Sequence, residues 1–368
     1  MNKQWNRTIW IHALLIMAFG LVSLYSASYD NLRVSSQVFY DQLTFVGLAV
    51  LIMYWISRRD YRKFYDVAYV LFAINLALLV GVHVAGRHAL GARRWIELGG
   101  LSFQPSELMK LSLILLLGRY LSTRRPALSF DLVSVSRGLW RNLILPLLLT
   151  VVPVLLIFKQ PDLGTAILLM GIFLIMIFMS GLEFQYLGWL LGVSAAGLPL
   201  LWCVMKQYQK DRLLVFLNPN IDPLGAGYTI IQSKIAVGSG GLWGKGWLSG
   251  TQNQLNFLPE RHTDFIFSVI GEEWGLVGAL ALVYCYFMVV RAGLDIAEHT
   301  KDNFGRLVAV GIVGILMLQV FINIGMVIGL CPVVGITLPF ISYGRTSFLV
   351  FAILLGFLLS LSRRRNIF

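Results

Sequence analysis

Chemistry in this sequence rests on a small set of ionisable residues set among apolar ones. Glu107 and Lys110 are three positions apart, which on a helix places them on one face, where they form either a salt bridge or part of a site. Asp162, in KQPDLGTA, and Asp264, in HTDFIF, each open an apolar run, the position at which a carboxylate caps free helical N–H groups. Asp264 differs in its company, because Glu260, Arg261, His262 and Thr263 immediately precede it. A carboxylate at a water–lipid boundary stays ionised yet partly desolvated, which suits a general base. Glu272 and Glu273 follow, but eight helical positions put Glu272 about 12 Å from Asp264. That is too far to share a reacting proton, so both glutamates read as structural polar contacts.

Several kinds of chemistry find no support. The histidines show no metal-ligand spacing, and Cys203, Cys285 and Cys331 stand alone as small packing residues. No P-loop, GxSxG, HExxH or dinucleotide fingerprint occurs in a suitable strand-to-helix setting, which leaves nucleotide and peptide hydrolysis without a basis.

The elements that must position these residues are membrane helices. Of 368 residues, 57% are hydrophobic and 13% charged, and the mean hydropathy is +0.75, more apolar surface than a soluble core of this size can hide. Runs such as LGTAILLMGIFLIMIFM are apolar on every face, which excludes the alternation of a transmembrane barrel. The expected fold is an all-α polytopic membrane protein, a single transmembrane domain over 1–368. About ten helices fall near 9–27, 41–57, 66–84, 104–118, 142–158, 163–181, 187–205, 264–290, 307–330 and 346–361. Pro146 and Pro153 interrupt the fifth. The first run, after Lys3 and Arg7, reads as an uncleaved helix rather than a signal peptide.

Positive charge sets the orientation. With both termini cytoplasmic, the inside segments hold 17 Lys/Arg in 67 residues against 12 in 109 outside. The net charge of +12 lies in short clusters between apolar runs, which points to an anionic lipid or membrane and not to nucleic acid. Half of the outside charge lies in one long extracytoplasmic loop, 206–263, between the seventh and eighth helices, which re-enters the membrane at Asp264. A loop of this length either crosses regardless of charge or meets an anionic group outside. It holds NPNIDPLGAGY, then QSKIAVGSGGLWGKGWLSGTQ with Lys245, and its apolar and aromatic residues read as amphipathic pieces against the outer leaflet.

The run from NPNIDPLGAGY to HTDFIFSVIGEEWGLVG strongly resembles the SEDS family (shape, elongation, division and sporulation). RRWIELGGLSFQPSELMKL, KQPDLGTA and GITLPFISYG fit the same family in the same order. The resemblance implies a bacterial multi-pass protein of the cytoplasmic membrane that polymerises lipid II into peptidoglycan glycan strands at the outer face, for cell-wall elongation and rod shape. It implies as partners a class B penicillin-binding protein that crosslinks the strands and other membrane proteins of the elongation complex. The family's essential aspartate falls on Asp264, and its polar cavity residues on Glu107, Lys110 and Asp162.

Those residue types suit the reaction. Asp264 takes the proton of the acceptor hydroxyl as it attacks the donor's anomeric carbon. The leaving polyprenyl diphosphate is already a stable anion, so it needs cations and no second acid. Lys110, Lys245, Arg261 or a divalent metal, magnesium or manganese, would supply them; Glu260, His262 and Thr263 complete the expected binding loop. The alternative is a transporter of the lipid-linked precursor, in which the same polar residues carry the headgroup across. One residue departs from the family pattern: after PFISYG a second glycine is usual, and here Arg345 stands. Its bulk is expected to disturb the loop 331–345, so that Arg345→Gly raises activity or stability.

Overall fold

A computed structural model describes residues 2–29, 35–89, 92–98, 101–123, 140–181, 205–223 and 225–364, with isolated positions between 188 and 203. The chain is mostly helical. In order come α1 (Asn2–Ser28), α2 (Ser35–Arg58), α3 (Arg62–Ala85), three strands, α4 (Pro105–Ser122), α5 (Leu145–Lys159), α6 (Leu163–Met179), α7 (Gln207–Leu217), α8 (Ala226–Ser239), α9 (Thr251–Gln254), α10 (Ile266–His299), α11 (Asn303–Ile328) and α12 (Arg345–Arg364).

Among the described residues seven helices are long and apolar enough to cross a membrane: Gln4–Ser28, Gln37–Arg58, Arg62–Val84, Trp140–Lys159, Ile266–His299, Asn303–Ile328 and Arg345–Arg363. Two other expected spans fall short of that standard. Leu163–Met179 has 17 residues, and α4 carries Glu107, Lys110 and Arg119. The expected helix 187–205 lies almost wholly outside the described residues. Pro146 does not break the fifth span, because it falls in the first turn of α5 after the wide turn Trp140–Ile144, while Pro153 is accommodated inside the helix.

One part of the fold is not helical. The strands β1 (Arg87–Ala89), β2 (Ala92–Leu98) and β3 (Leu101–Phe103) form an antiparallel sheet in the order β1-β2-β3. Leu98 pairs with Leu101, in a sheet that the apolar-run reading passes over.

The chain divides into two compact units, each built from separated segments. The first comprises Met1–Trp55, Lys206–Ala292 and Leu316–Gly356. Its core includes Phe348, Phe351, Leu354 and Leu355 of α12, all buried, as expected of a helix apolar on every face. The second comprises Ile56–Met205, Gly293–Ile315 and Phe357–Phe368. Here α4 and α11 pack backbone to side chain: a Cβ on Gly118 would lie 2.8 Å from Val308, and one on Gly311 2.8 Å from Ile114. Small residues at such contacts are how membrane helices approach closely.

α10 is two rods under one label. At 34 residues it would be about 51 Å long, well beyond a hydrocarbon layer of about 30 Å. Gly275 breaks it, with φ 62° and ψ −160°, leaving a short rod 266–274 and a span-length rod 276–299. The glycine-rich segment of the long loop closes the break. Lys245 N–H donates to Glu272 O and Gly246 N–H to Glu273 O, each at 3.0 Å, while Leu276 N–H donates to Gly241 O at 2.9 Å and Val277 N–H to Leu242 O at 3.1 Å. Carbonyls freed at the end of the first rod and amides freed at the start of the second thus find backbone partners.

Candidate active site

Asp264 lies in the turn that leads into α10. Glu260 opens that turn with φ 51°, a left-handed conformation. Its carbonyl accepts from the amides of Thr263 at 3.1 Å and Phe265 at 3.3 Å. Thr263 Oγ1 donates to the Glu260 carboxylate at 3.1 Å. The outer carbonyls of the turn are held from elsewhere in the same unit. Tyr343 N–H donates to His262 O at 2.9 Å, Ser342 Oγ to Thr263 O at 2.6 Å, and Asn323 Nδ2 to Asp264 O at 3.0 Å. PERHTDF and GITLPFISYG, distant in sequence, therefore form one structure. Asp264 is half-buried, and a Cβ at Gly335, whose φ is +73°, would lie 3.6 Å from its Oδ2. Burial pushes the His262 imidazole below its ordinary pKa; Glu260 opposes that shift and Arg261 adds to it.

The expected leaving-group cations of this unit serve the protein itself. Arg261 Nε donates to Ala27 O at 2.7 Å and its Nη1 to Asn253 O, fastening the turn to the end of α1. Lys245 Nζ meets Glu272 Oε1 at 2.7 Å and Thr251 Oγ1 at 2.9 Å. Glu272 is fully buried and also accepts from Gln252 N–H at 3.0 Å. Glu273 accepts from Ser26 Oγ, and from Asn253 Nδ2 at 3.3 Å. Both glutamates are held by donors of the protein itself.

In the second unit, Lys110 and Glu107 form a buried pair at 2.7 Å. Asp162 caps α6, accepting from Thr165 N–H at 3.2 Å and Thr165 Oγ1 at 3.0 Å. It also accepts from Gln104 Nε2 at 3.1 Å and Ser106 Oγ at 3.2 Å. Gln104 and Ser106 lead into the first turn of α4, so the sequence motifs QPSELMK and QPDLGTA converge on one buried polar cluster. The salt-bridge role of Glu107 and Lys110 and the capping role of Asp162 are both present.

Arg345 corrects an expectation. It does not occupy a glycine-requiring conformation, since it is absent from the positive-φ residues of the described chain. It opens α12 and its guanidinium pairs with Asp41 at 2.5 Å, close to the Phe45 ring at 5.8 Å. The added charge has gained an anion, and the neighbouring loop keeps its bonds to His262 and Thr263.

Among the described residues no three His, Cys, Asp or Glu side chains lie close enough together to hold a metal ion. Sequence reasoning missed Asn323 and Ser342, which hold the Asp264 and Thr263 carbonyls. A buried asparagine inside an apolar span was the available signal.

The comparisons with known proteins agree with this architecture. Over 360 residues the chain is 40% identical to the peptidoglycan glycosyltransferase MrdB of Escherichia coli (strain K12), covering 98% of this chain and 94% of that one. A structure described as showing coordination of polymerization and crosslinking by a peptidoglycan synthase complex matches with TM-score 0.81 at 33% identity, covering 98% of each chain. The crystal structure of the rod shape determining protein RodA of Thermus thermophilus matches with TM-score 0.70 at 31% identity, covering 97% of this chain and 96% of that one. The family model for the cell cycle proteins FtsW, RodA and SpoVE matches residues 6–367, and the chain belongs to that family.

Proposed function

We propose that the protein is a peptidoglycan glycosyltransferase that polymerises lipid II at the outer face of the bacterial cytoplasmic membrane, with Asp264 as its general base. The observation that carries the assignment to Asp264 is a contrast in placement. Glu107, Asp162, Glu272 and Glu273 are buried. Asp264 keeps partial exposure on a turn fixed at three successive carbonyls. The acceptor hydroxyl gives its proton to Asp264 as its oxygen bonds to the anomeric carbon of the donor; the bond from that carbon to the diphosphate oxygen breaks, and the polyprenyl diphosphate departs with inversion.

Glu107, Lys110 and Asp162 form a charge-compensated headgroup site in this reading, and Glu260, His262 and Thr263 line the base. Lys245 and Arg261 act on substrate only through the turn and loop they hold. The chain works as a single domain of about ten spans with both termini cytoplasmic. Its partners are a class B penicillin-binding protein and other elongation-complex membrane proteins, supported by the likeness to a synthase complex in which polymerization and crosslinking are coordinated. The test is polymerisation of purified lipid II by the detergent-solubilised protein, with and without the transpeptidase. Asp264→Asn, which keeps shape and removes the base, abolishes polymerisation and leaves the melting temperature unchanged. Parental rates in that variant would refute the assignment.

A further inference from the structure

Asn323 is a fully buried amide within α11, a membrane-spanning helix in which a polar side chain carries a cost. Its two amide hydrogens have separate destinations. Nδ2 donates to Asp264 O at 3.0 Å and to Ile336 O at 2.7 Å. The first carbonyl belongs to the turn that bears the base. The second lies beside Gly335, where a Cβ would stand 3.6 Å from Asp264 Oδ2, at van der Waals contact. One amide thus ties the carboxylate's own backbone to the wall facing it. Ser342 repeats the arrangement one residue away, donating to Thr263 O at 2.6 Å while accepting from Leu338 N–H at 2.7 Å. The Asn323 Oδ1 atom is buried without a hydrogen-bond partner among the described residues. The side chain is therefore used purely as a donor.

We infer that Asn323, supported by Ser342, is a positioning residue for the glycosyl transfer: it fixes Asp264 at the distance and angle at which it takes the acceptor proton. The inference rests on the general-base reading of Asp264. Binding of the lipid-linked substrate needs no such precision, whereas proton transfer does, and a misplacement of about 1 Å costs on the order of 100-fold in rate. Loss of the tether lowers kcat and spares KM.

The experiment measures polymerisation of purified lipid II by the full-length protein carrying Asn323→Leu, Asn323→Asp or Ser342→Ala, with Asp264→Asn as the control. Asn323→Leu is expected to lower kcat on the order of 100-fold with KM within about twofold. Asn323→Asp falls between parent and Asn323→Leu and regains rate as pH is lowered, because the new carboxyl donates a hydrogen bond only when protonated. Ser342→Ala, a small truncation that keeps the fold, lowers kcat in the same sense by about tenfold. Parental kcat in Asn323→Leu and Ser342→Ala, with Asp264→Asn inactive, would overturn the inference and leave the base assignment standing. A loss of activity matched by the loss of folded protein, or a rise in KM alone, would also overturn it. Activity in Asp264→Asn would instead overturn the base assignment itself.

Discussion

Gly244 offers the sharpest test of how the glycine-rich loop meets the broken helix. Its φ is +81°, and a Cβ built on it would fall inside the Glu273 carbonyl group and 2.7 Å from Gly275 N. All of these neighbours are backbone, so no side chain can swing away to make room. Alanine in a left-handed conformation costs about 1–2 kcal/mol. Relieving the clash requires the loop to leave the break and give up its four backbone hydrogen bonds, each worth about 1 kcal/mol. The total is about 5 kcal/mol. For a chain of 368 residues the unfolding entropy of about 0.8 kcal/mol/K converts this to a drop of about 6 °C in melting temperature. Gly238 is the control, because it lies within α8 and a Cβ there would meet nothing within 4 Å. Gly238→Ala gains about 0.5–1 kcal/mol from the smaller entropy of the unfolded chain. The assay is tryptophan fluorescence during heating at one fixed rate in detergent, with Trp243 and Trp247 flanking the substituted position as reporters. Melting of Gly244→Ala within about 1 °C of the parent, or equal effects at the two glycines, would show that the loop does not sit on the break.

Three further outcomes are expected. Arg345→Gly lowers stability by no more than about 1 kcal/mol, since its pair with Asp41 is partly exposed; Asp41→Asn has the same effect, and combining the two adds nothing in melting experiments. Because His262 is held below its ordinary pKa by burial, the folded state resists its protonation. Its stabilising contribution is complete above the unfolded value of about 6.5 and is lost as pH falls from there through the lower folded pKa. Melting temperatures across that window should fall more steeply for the parent than for His262→Gln. Asp162→Ala removes the acceptor of the α6 cap and of bonds from Gln104 and Ser106 and destabilises by about 2–3 kcal/mol, while Asp162→Asn, which still caps, loses less of its melting temperature.

The membrane spans were legible in the sequence because a helix buried in hydrocarbon needs no periodicity, only length and apolarity. Asp264 and the Glu107, Lys110 and Asp162 set stood out for the complementary reason that charge in such surroundings is costly. What the sequence concealed were pairings at long range. Lys245 and Glu272 are 27 residues apart, and neither spacing nor charge says that the lysine faces a buried glutamate rather than a diphosphate. Gly275 follows the Glu272–Glu273 pair at the head of a long apolar run, where a single glycine usually leaves a helix intact; the break is visible only with the 241–246 loop in place. The sheet at 87–103 escaped notice because its strands have three, seven and three residues, too short for an alternation pattern. The ion pair of Arg345 was likewise out of view, since Asp41 lies 304 residues away.

The break at Gly275 also bears on hydrophobic mismatch. An unbroken rod of 34 residues that leaned by about 10° to fit a thinner bilayer would sweep its tip sideways by about 9 Å. Asp264 precedes that tip and would be carried with it; under the general-base proposal a displacement of this size ends proton transfer. With the rod jointed, the lower part alone meets the bilayer's thickness. The carboxylate takes its height from the neighbouring α11 through Asn323. The Asp264 turn is thus tied to a second span, α11, and not to the tip of one long rod alone.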